Sequence, residues 1–122
     1  KHKGESHFRK IEKDITLSEL KKSNSVISLG GGAFLNSSIR KSTKKNSISF
    51  WLDVPISILL KRLKKSKNRP VLGKEKTNDS IKRIYFERKK FYNQANYRIN
   101  CKTLTLKKIV ENILDLYEKP RN

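Results

Sequence analysis

The stretch SISFWLDVPISILLKRL, residues 47–63, decides the fold. Its first half, SISFWLDV, is apolar enough to be buried on both faces, which is the composition of a strand inside a parallel sheet. Asp53 and Pro55 then resemble a helix start, with Asp as the cap and Pro in the first turn, leading into the helical run ISILLKRL. Outward from this unit the same alternation repeats. Upstream, VISLGGGAF (26–34) reads as a short strand over 26–29 that stops at three glycines, followed by a brief helix over 37–41. Before it, Phe8, Ile11 and Ile15 recur at helical spacing within 5–20. Downstream, KKSKNRPVLGKEKTND (64–79) is polar, with Pro70 and Gly73, and reads as a loop or mobile flap. An amphipathic helix over 79–96, a strand over 97–101 and a closing helix with the stripe Leu106, Ile109, Val110, Ile113, Leu114, Tyr117 complete the chain. Strands alternating with helices predict an α/β fold, a parallel sheet with right-handed crossovers and helices on both faces. Ligands of such folds bind beyond the carboxyl ends of the strands, where the three glycines fall.

At 122 residues the chain suits one domain. No run approaches the length of a membrane span, and the opening KHKGESHFRK lacks the apolar stretch of a secretory signal, so the expectation is a soluble, cytoplasmic protein. A single cysteine, Cys101, excludes an internal disulfide, and with only His2 and His7 beside it a structural zinc is excluded too. The formal charge of +19 invites a nucleic-acid reading. Its distribution argues otherwise: the lysines are scattered as singles and pairs, without a basic tail, as on a solvated surface with some attraction for small phosphorylated ligands.

Several residues carry chemistry. On a helical wheel Ile81, Ile84, Tyr85, Phe91, Tyr92 and Ala95 share one arc, with Arg88 in its middle. A guanidinium on a buried face needs an anion, either a protein carboxylate in a structural salt bridge or a bound ligand. Arg9 adjoins Phe8 and lies one turn from Glu12, which fits a pocket for a small polar acid or an ordinary i,i+3 ion pair. Gly30, Gly31 and Gly32 allow unusual backbone angles and direct approach of a ligand, or else tight packing of a turn. Arg69, before Pro70 in the flap, could reach a transferring phosphate. Arg62, at a helix end, could stack on an aromatic base or complement the helix C-terminus.

Together GESHFRKIE, VISLGGGAF, FWLDVP, LLKRLKKSKNRPVL and ERKKFYNQANYRI resemble, in order and spacing, the shikimate kinase family of small P-loop phosphotransferases, over essentially the whole chain. The resemblance implies a three-layer α/β/α, P-loop NTPase-like fold with family strand order 2-3-1-4-5. It implies transfer of the ATP γ-phosphate to the 3-hydroxyl of shikimate in aromatic amino-acid biosynthesis, with ATP and Mg2+ as cofactors. By position it makes Arg9 and Arg88 the clamp on the shikimate carboxylate, and Gly30 to Gly32 the backbone beside the hydroxyls. Phe8 and Glu12 become wall and support of that pocket. Arg69 matches the arginine of the lid, placed at 64–79, that reaches the ATP phosphates. Arg62 matches the arginine beside adenine, and Lys102 and Thr103 lie in what resembles the loop edging it. Ser28 resembles the position that helps order Mg2+ through water.

The sequence contains no G-x-x-x-x-G-K-[ST], the loop that holds the β- and γ-phosphates, and lacks the family's catalytic Asp on the next strand. Both belong upstream of KHKGESHFRK, so the expectation is an N-terminally incomplete chain without the first two strands, poorly stable and inactive alone. When complete it is expected to be a monomer without membrane or specific nucleic-acid partners. Alternatives are a related gluconate or nucleoside-monophosphate kinase, and a non-catalytic or nucleic-acid-binding remnant.

Overall fold

The computed structural model describes residues 4–65 and 78–120. The elements run α1 (Gly4–Leu20), a 3-10 turn (Ala33–Leu35), α2 (Ser37–Asn46), β1 (Phe50–Asp53), α3 (Ile56–Lys65), α4 (Asn78–Tyr92), β2 (Tyr97–Asn100) and α5 (Leu106–Glu118). They divide into two compact units, Lys1–Ser49 and Phe50–Asn122.

In the first unit α1 packs on α2 and on the 3-10 turn. Leu20, Ala33, Phe34 and Ile39 form its core, with Thr16 and Thr43 buried beside them. The Thr43 hydroxyl is satisfied there by donating to the Ile39 carbonyl at 2.7 Å. Asn36 starts α2 by accepting from the amides of Ser38 and Ile39 at 2.9 and 3.1 Å. The helix runs to Asn46 rather than stopping near residue 41, because Ile39 and Thr43 are one turn apart and carry the buried face past that point. The helix expected over 5–20 is present, but Phe8, Ile11 and Ile15 are exposed and Thr16 and Leu20 are the side chains it buries. The strand expected over 26–29 does not form. A strand exists only through its hydrogen-bonded neighbour; among the described residues nothing pairs with this segment, and Val26 is 99% exposed.

The second unit carries the parallel α/β pairing that the sequence predicts. β1 and β2 run parallel, with Phe50 opposite Tyr97, Trp51 opposite Arg98, Leu52 opposite Ile99 and Asp53 opposite Asn100. The Cys101 amide extends the ladder by donating to the Asp53 carbonyl at 2.9 Å. Two parallel strands require a long crossover, here α3 and α4. Residue parity decides what lies on each face of this pair. Phe50 and Tyr97 share one face and their rings stack at 5.5 Å. Trp51 and Asp53 share the other, where Tyr92 of α4 meets the Trp51 ring at 6.0 Å. Trp51, Ile81 and Ile99 are the buried apolar side chains of this unit. Asp53 is not the cap of α3, as the sequence suggested. It ends β1 with its carboxylate buried, and the first helical bonds, from the amides of Ile58 and Leu59, go to the Pro55 carbonyl at 3.0 Å.

α5 is capped by Thr105, which accepts from the Lys108 amide at 3.2 Å, and lies against β2. Within its apolar stripe Leu106, Val110, Leu114 and Tyr117 are exposed. Among the described residues no helix is long and apolar enough to cross a membrane. Most of the segment predicted as a lid, including Arg69, lies outside the described residues.

Candidate functional site

In the first unit five of the residues singled out from the sequence meet. Arg9 sits on α1 between two acids of the same helix: its Nε donates to Glu5 Oε2 at 2.8 Å and its Nη1 to Glu12 Oε1 at 2.6 Å. Spacings of four and three residues put all three side chains on one helical face. The guanidinium also lies 5.1 Å from the centre of the Phe8 ring, within reach of a cation–π contact. Partial burial works against its charge, but the bonds to Glu5 and Glu12 outweigh this and hold its pKa above the ordinary value. The group is therefore a fixed cation with N–H donors beyond the two these bonds use.

This guanidinium lies directly on the glycine loop. A methyl group on Gly32 would stand 2.6 Å from Nη2 of Arg9, and one on Gly30 would stand 3.1 Å from Oε2 of Glu12. Unusual backbone angles are not the reason for these glycines. Gly32 has φ −97°, and the one glycine with positive φ among the described residues is Gly4. What the loop requires is close approach, and the group that approaches is Arg9. The carbonyls of Gly30 and Gly32 accept from the amides of Ala33 and Leu35 at 3.1 and 3.2 Å, which fixes the loop against the 3-10 turn. Gly31 lies between them, and Ser28, two residues before the loop, is exposed.

In the second unit Arg88 lies half-buried on α4, on the face the helical wheel assigned to it. It borders a cavity of about 190 Å3 shared with Trp51, Asp53, Tyr85 and Tyr92. Among the described residues no hydrogen bond or ion pair reaches its guanidinium. The carboxylate of Asp53, which borders the same cavity, is engaged elsewhere. Asp53 Oδ1 accepts from the Tyr85 hydroxyl at 2.9 Å, and Oδ2 accepts from Nε of Arg98 at 2.7 Å and lies 2.6 Å from its Nη2. Burial, and then the hydrogen bond to Asp53, push the Tyr85 phenol above its usual pKa. Arg62 and Lys102 are exposed. Both lie toward the carboxyl end of β2: the Lys102 amide donates to Asn100 Oδ1 at 3.1 Å, and the Arg62 charge acts on Cys101. Burial first, and then the charge of Asp53, push the Cys101 thiol up, while Arg62 opposes them.

Sequence reasoning missed Arg98 and the partnership of Asp53 with Tyr85. The signal was present at Asp53, which stands in an apolar strand, where a charge needs a partner.

The family model for shikimate kinase matches residues 1–118. The chain belongs to the shikimate kinase family. Among the curated members, the shikimate kinase of Bartonella quintana is 37% identical over 111 residues, covering 91% of this chain and 53% of that protein. The shikimate kinase of a Sulfurihydrogenibium species is 39% identical over 112 residues, 92% of this chain and 66% of the relative. The chain thus spans about half the length of the Bartonella quintana relative. Among solved structures, shikimate kinase from Acinetobacter baumannii in complex with shikimate has a TM-score of 0.86 at 27% identity, over 94% of this chain and 65% of that one. The Aquifex aeolicus shikimate kinase has a TM-score of 0.80 at 33% identity, over 96% and 68%.

For a family of kinases the fit to Mg2+ needs testing on the residues present. Among the described residues no group of three or more His, Cys, Asp or Glu could hold a metal ion. Ser28 supplies a single hydroxyl, suited to contact through water, so the described residues do not by themselves fit a directly bound Mg2+.

Proposed function

We propose that this chain forms the acceptor-binding part of a shikimate kinase, which transfers the γ-phosphate of ATP to the 3-hydroxyl of shikimate to give shikimate 3-phosphate. The observation that carries the reading is the seating of the Arg9 guanidinium on the Gly30–Gly32 loop, braced by Glu12. A fixed cation beside exposed backbone suits a small acid bearing hydroxyls: the carboxylate meets Arg9, and the hydroxyls meet the loop. Arg88, on the wall of a cavity whose carboxylate, Asp53, is engaged by Arg98 and Tyr85, supplies the second cation of the clamp. The shikimate complex of the Acinetobacter baumannii relative supports the same ligand.

In this reading Phe8 and Glu12 shape and brace the pocket, and Arg62 and Lys102 edge the adenine of ATP. Arg69 neutralises charge on the transferring phosphate, and Ser28 orders Mg2+ through water. The protein contributes positioning and charge neutralisation, which is most of what phosphoryl transfer asks of it. Residues 1–122 act as one domain with 64–79 as its lid, in a cytoplasmic, monomeric enzyme without nucleic-acid or membrane partners. The scatter of lysines along the chain supports that last point.

Calorimetric titration of the chain with shikimate tests the reading. Saturable binding that Arg88→Ala and Arg9→Ala both weaken is expected, and absence of binding by the wild-type chain overturns it. Because the sequence contains no G-x-x-x-x-G-K-[ST] loop, phosphorylation of shikimate is expected only when that loop is supplied upstream. Turnover by the 122 residues alone would show that the γ-phosphate is held in some other way.

A further inference from the structure

Asp53 is the buried carboxylate among the described residues, and it borders the same cavity as Arg88. A carboxylate and a guanidinium that border one cavity attract each other. Pairing between them would satisfy both and leave no cation for a ligand. The structure shows instead that both oxygens of Asp53 are engaged by other residues.

This engagement follows from register. Arg98 stands opposite Trp51 across the parallel ladder, so its side chain emerges on the face that carries Trp51 and Asp53. Its guanidinium lies 5.5 Å from the Trp51 ring centre and closes on Asp53 Oδ2 through Nε and Nη2 at 2.7 and 2.6 Å. Tyr85, one helical turn before Arg88 on α4, covers Oδ1. The carboxylate is 5% exposed and the Arg98 side chain 52%. Arg98 therefore neutralises the acid while its own charge stays largely in water, a cheaper arrangement than burying Arg88 against it.

We propose that Arg98 is a positioning residue: by occupying Asp53, together with Tyr85, it keeps Arg88 available for a carboxylate that enters from solution. The inference rests on the reading that Arg88 binds shikimate's carboxylate, and its test has one arm that does not need shikimate.

The variant Arg98→Met keeps the length of the stem and removes the fork. With Asp53 released, Arg88 should turn to it. Shikimate should then bind roughly tenfold more weakly, the lower range for a close charge pair. In the ligand-free protein the Arg88 Nε–H resonance should move as it gains an acceptor. Adding Asp53→Asn to Arg98→Met should reverse both changes, a recovery that damage to the fold would not produce. Unchanged affinity with an unmoved Arg88 resonance overturns the proposal, and so does a double variant that stays as weak as Arg98→Met. If the wild-type chain binds no shikimate, the substrate reading fails, and the resonance alone decides the role of Arg98. Should Arg98→Met not fold, Arg98→Lys replaces it: a point charge covers Oδ2 less completely, so a smaller loss, roughly threefold, and the same recovery with Asp53→Asn are expected.

Discussion

Arg9 and Arg88 present the same guanidinium from two helices in the two units, and their surroundings are opposite. Arg9 is held by Glu5 and Glu12 on its own helix and rests on a glycine loop. Arg88 has no such partners among the described residues, and the acid bordering its cavity is taken by Arg98 and Tyr85. One cation is fixed by local pairs, and the other is left open by a tertiary arrangement that occupies its competitor. A ligand carboxylate gains more from a cation that nothing else neutralises, so the two arginines should differ in what their loss costs.

The largest effect is expected at Arg88. Arg88→Ala should weaken shikimate binding by about 2 to 5 kcal/mol, the range for removing one partner of a desolvated charge pair. Arg9→Ala should fall at the low end, about 2 kcal/mol, because Glu5 and Glu12 already balance part of the charge it offers. Titration calorimetry on both variants checks the ranking. An equal or larger loss for Arg9→Ala would break the contrast and make the glycine loop the stronger half of the clamp.

The same contrast explains what could be read before the structure. The partners of Arg9 lie three and four residues away on one helix, so the Glu12 pair was legible from spacing, as was the placing of Arg88 on the buried face of α4. The βα unit at 47–63 was equally legible, because a strand and the helix after it are encoded locally. The occupation of Asp53 was not. It depends on Arg98 lying opposite Trp51 in the ladder, a register that brings together Asp53 and Arg98, 45 positions apart. Residues 26–29 failed for a related reason: an apolar run reads as a strand, yet only a hydrogen-bonded neighbour makes it one. Glycine composition likewise marked a close approach at 30–32 without naming Arg9 as the visitor.

Gly32→Ala sharpens the Arg9 half. The added carbon would stand 2.6 Å from Nη2, and the end of an arginine side chain can swing away at little cost. Stability should therefore change by less than about 1 kcal/mol. Shikimate binding should weaken roughly tenfold, about 1.4 kcal/mol, as Arg9 is displaced from the loop. Thermal melting and calorimetry on one preparation separate the two. Loss of stability without loss of affinity would mean that Gly32 serves packing rather than the placing of Arg9.

Tyr85 tests the Asp53 side and carries the smallest effect. Tyr85→Phe deletes the hydroxyl on Oδ1 and should cost about 1 kcal/mol of stability at neutral pH, the usual net worth of such a bond. The pH dependence follows from the raised phenol pKa, which burial and the Asp53 bond produce. A group whose pKa is higher folded than unfolded contributes its full stabilisation below the unfolded value, near 10 for tyrosine, and loses it as pH rises through the folded value. The wild-type chain should lose stability above about pH 10 more steeply than Tyr85→Phe, and the gap between them should narrow there. Denaturant melts at neutral and alkaline pH measure that gap. A gap that stays constant would mean that the Tyr85 proton is not held by Asp53. Arg98 would then be the partner on which the occupation of Asp53, and the freedom of Arg88, depends.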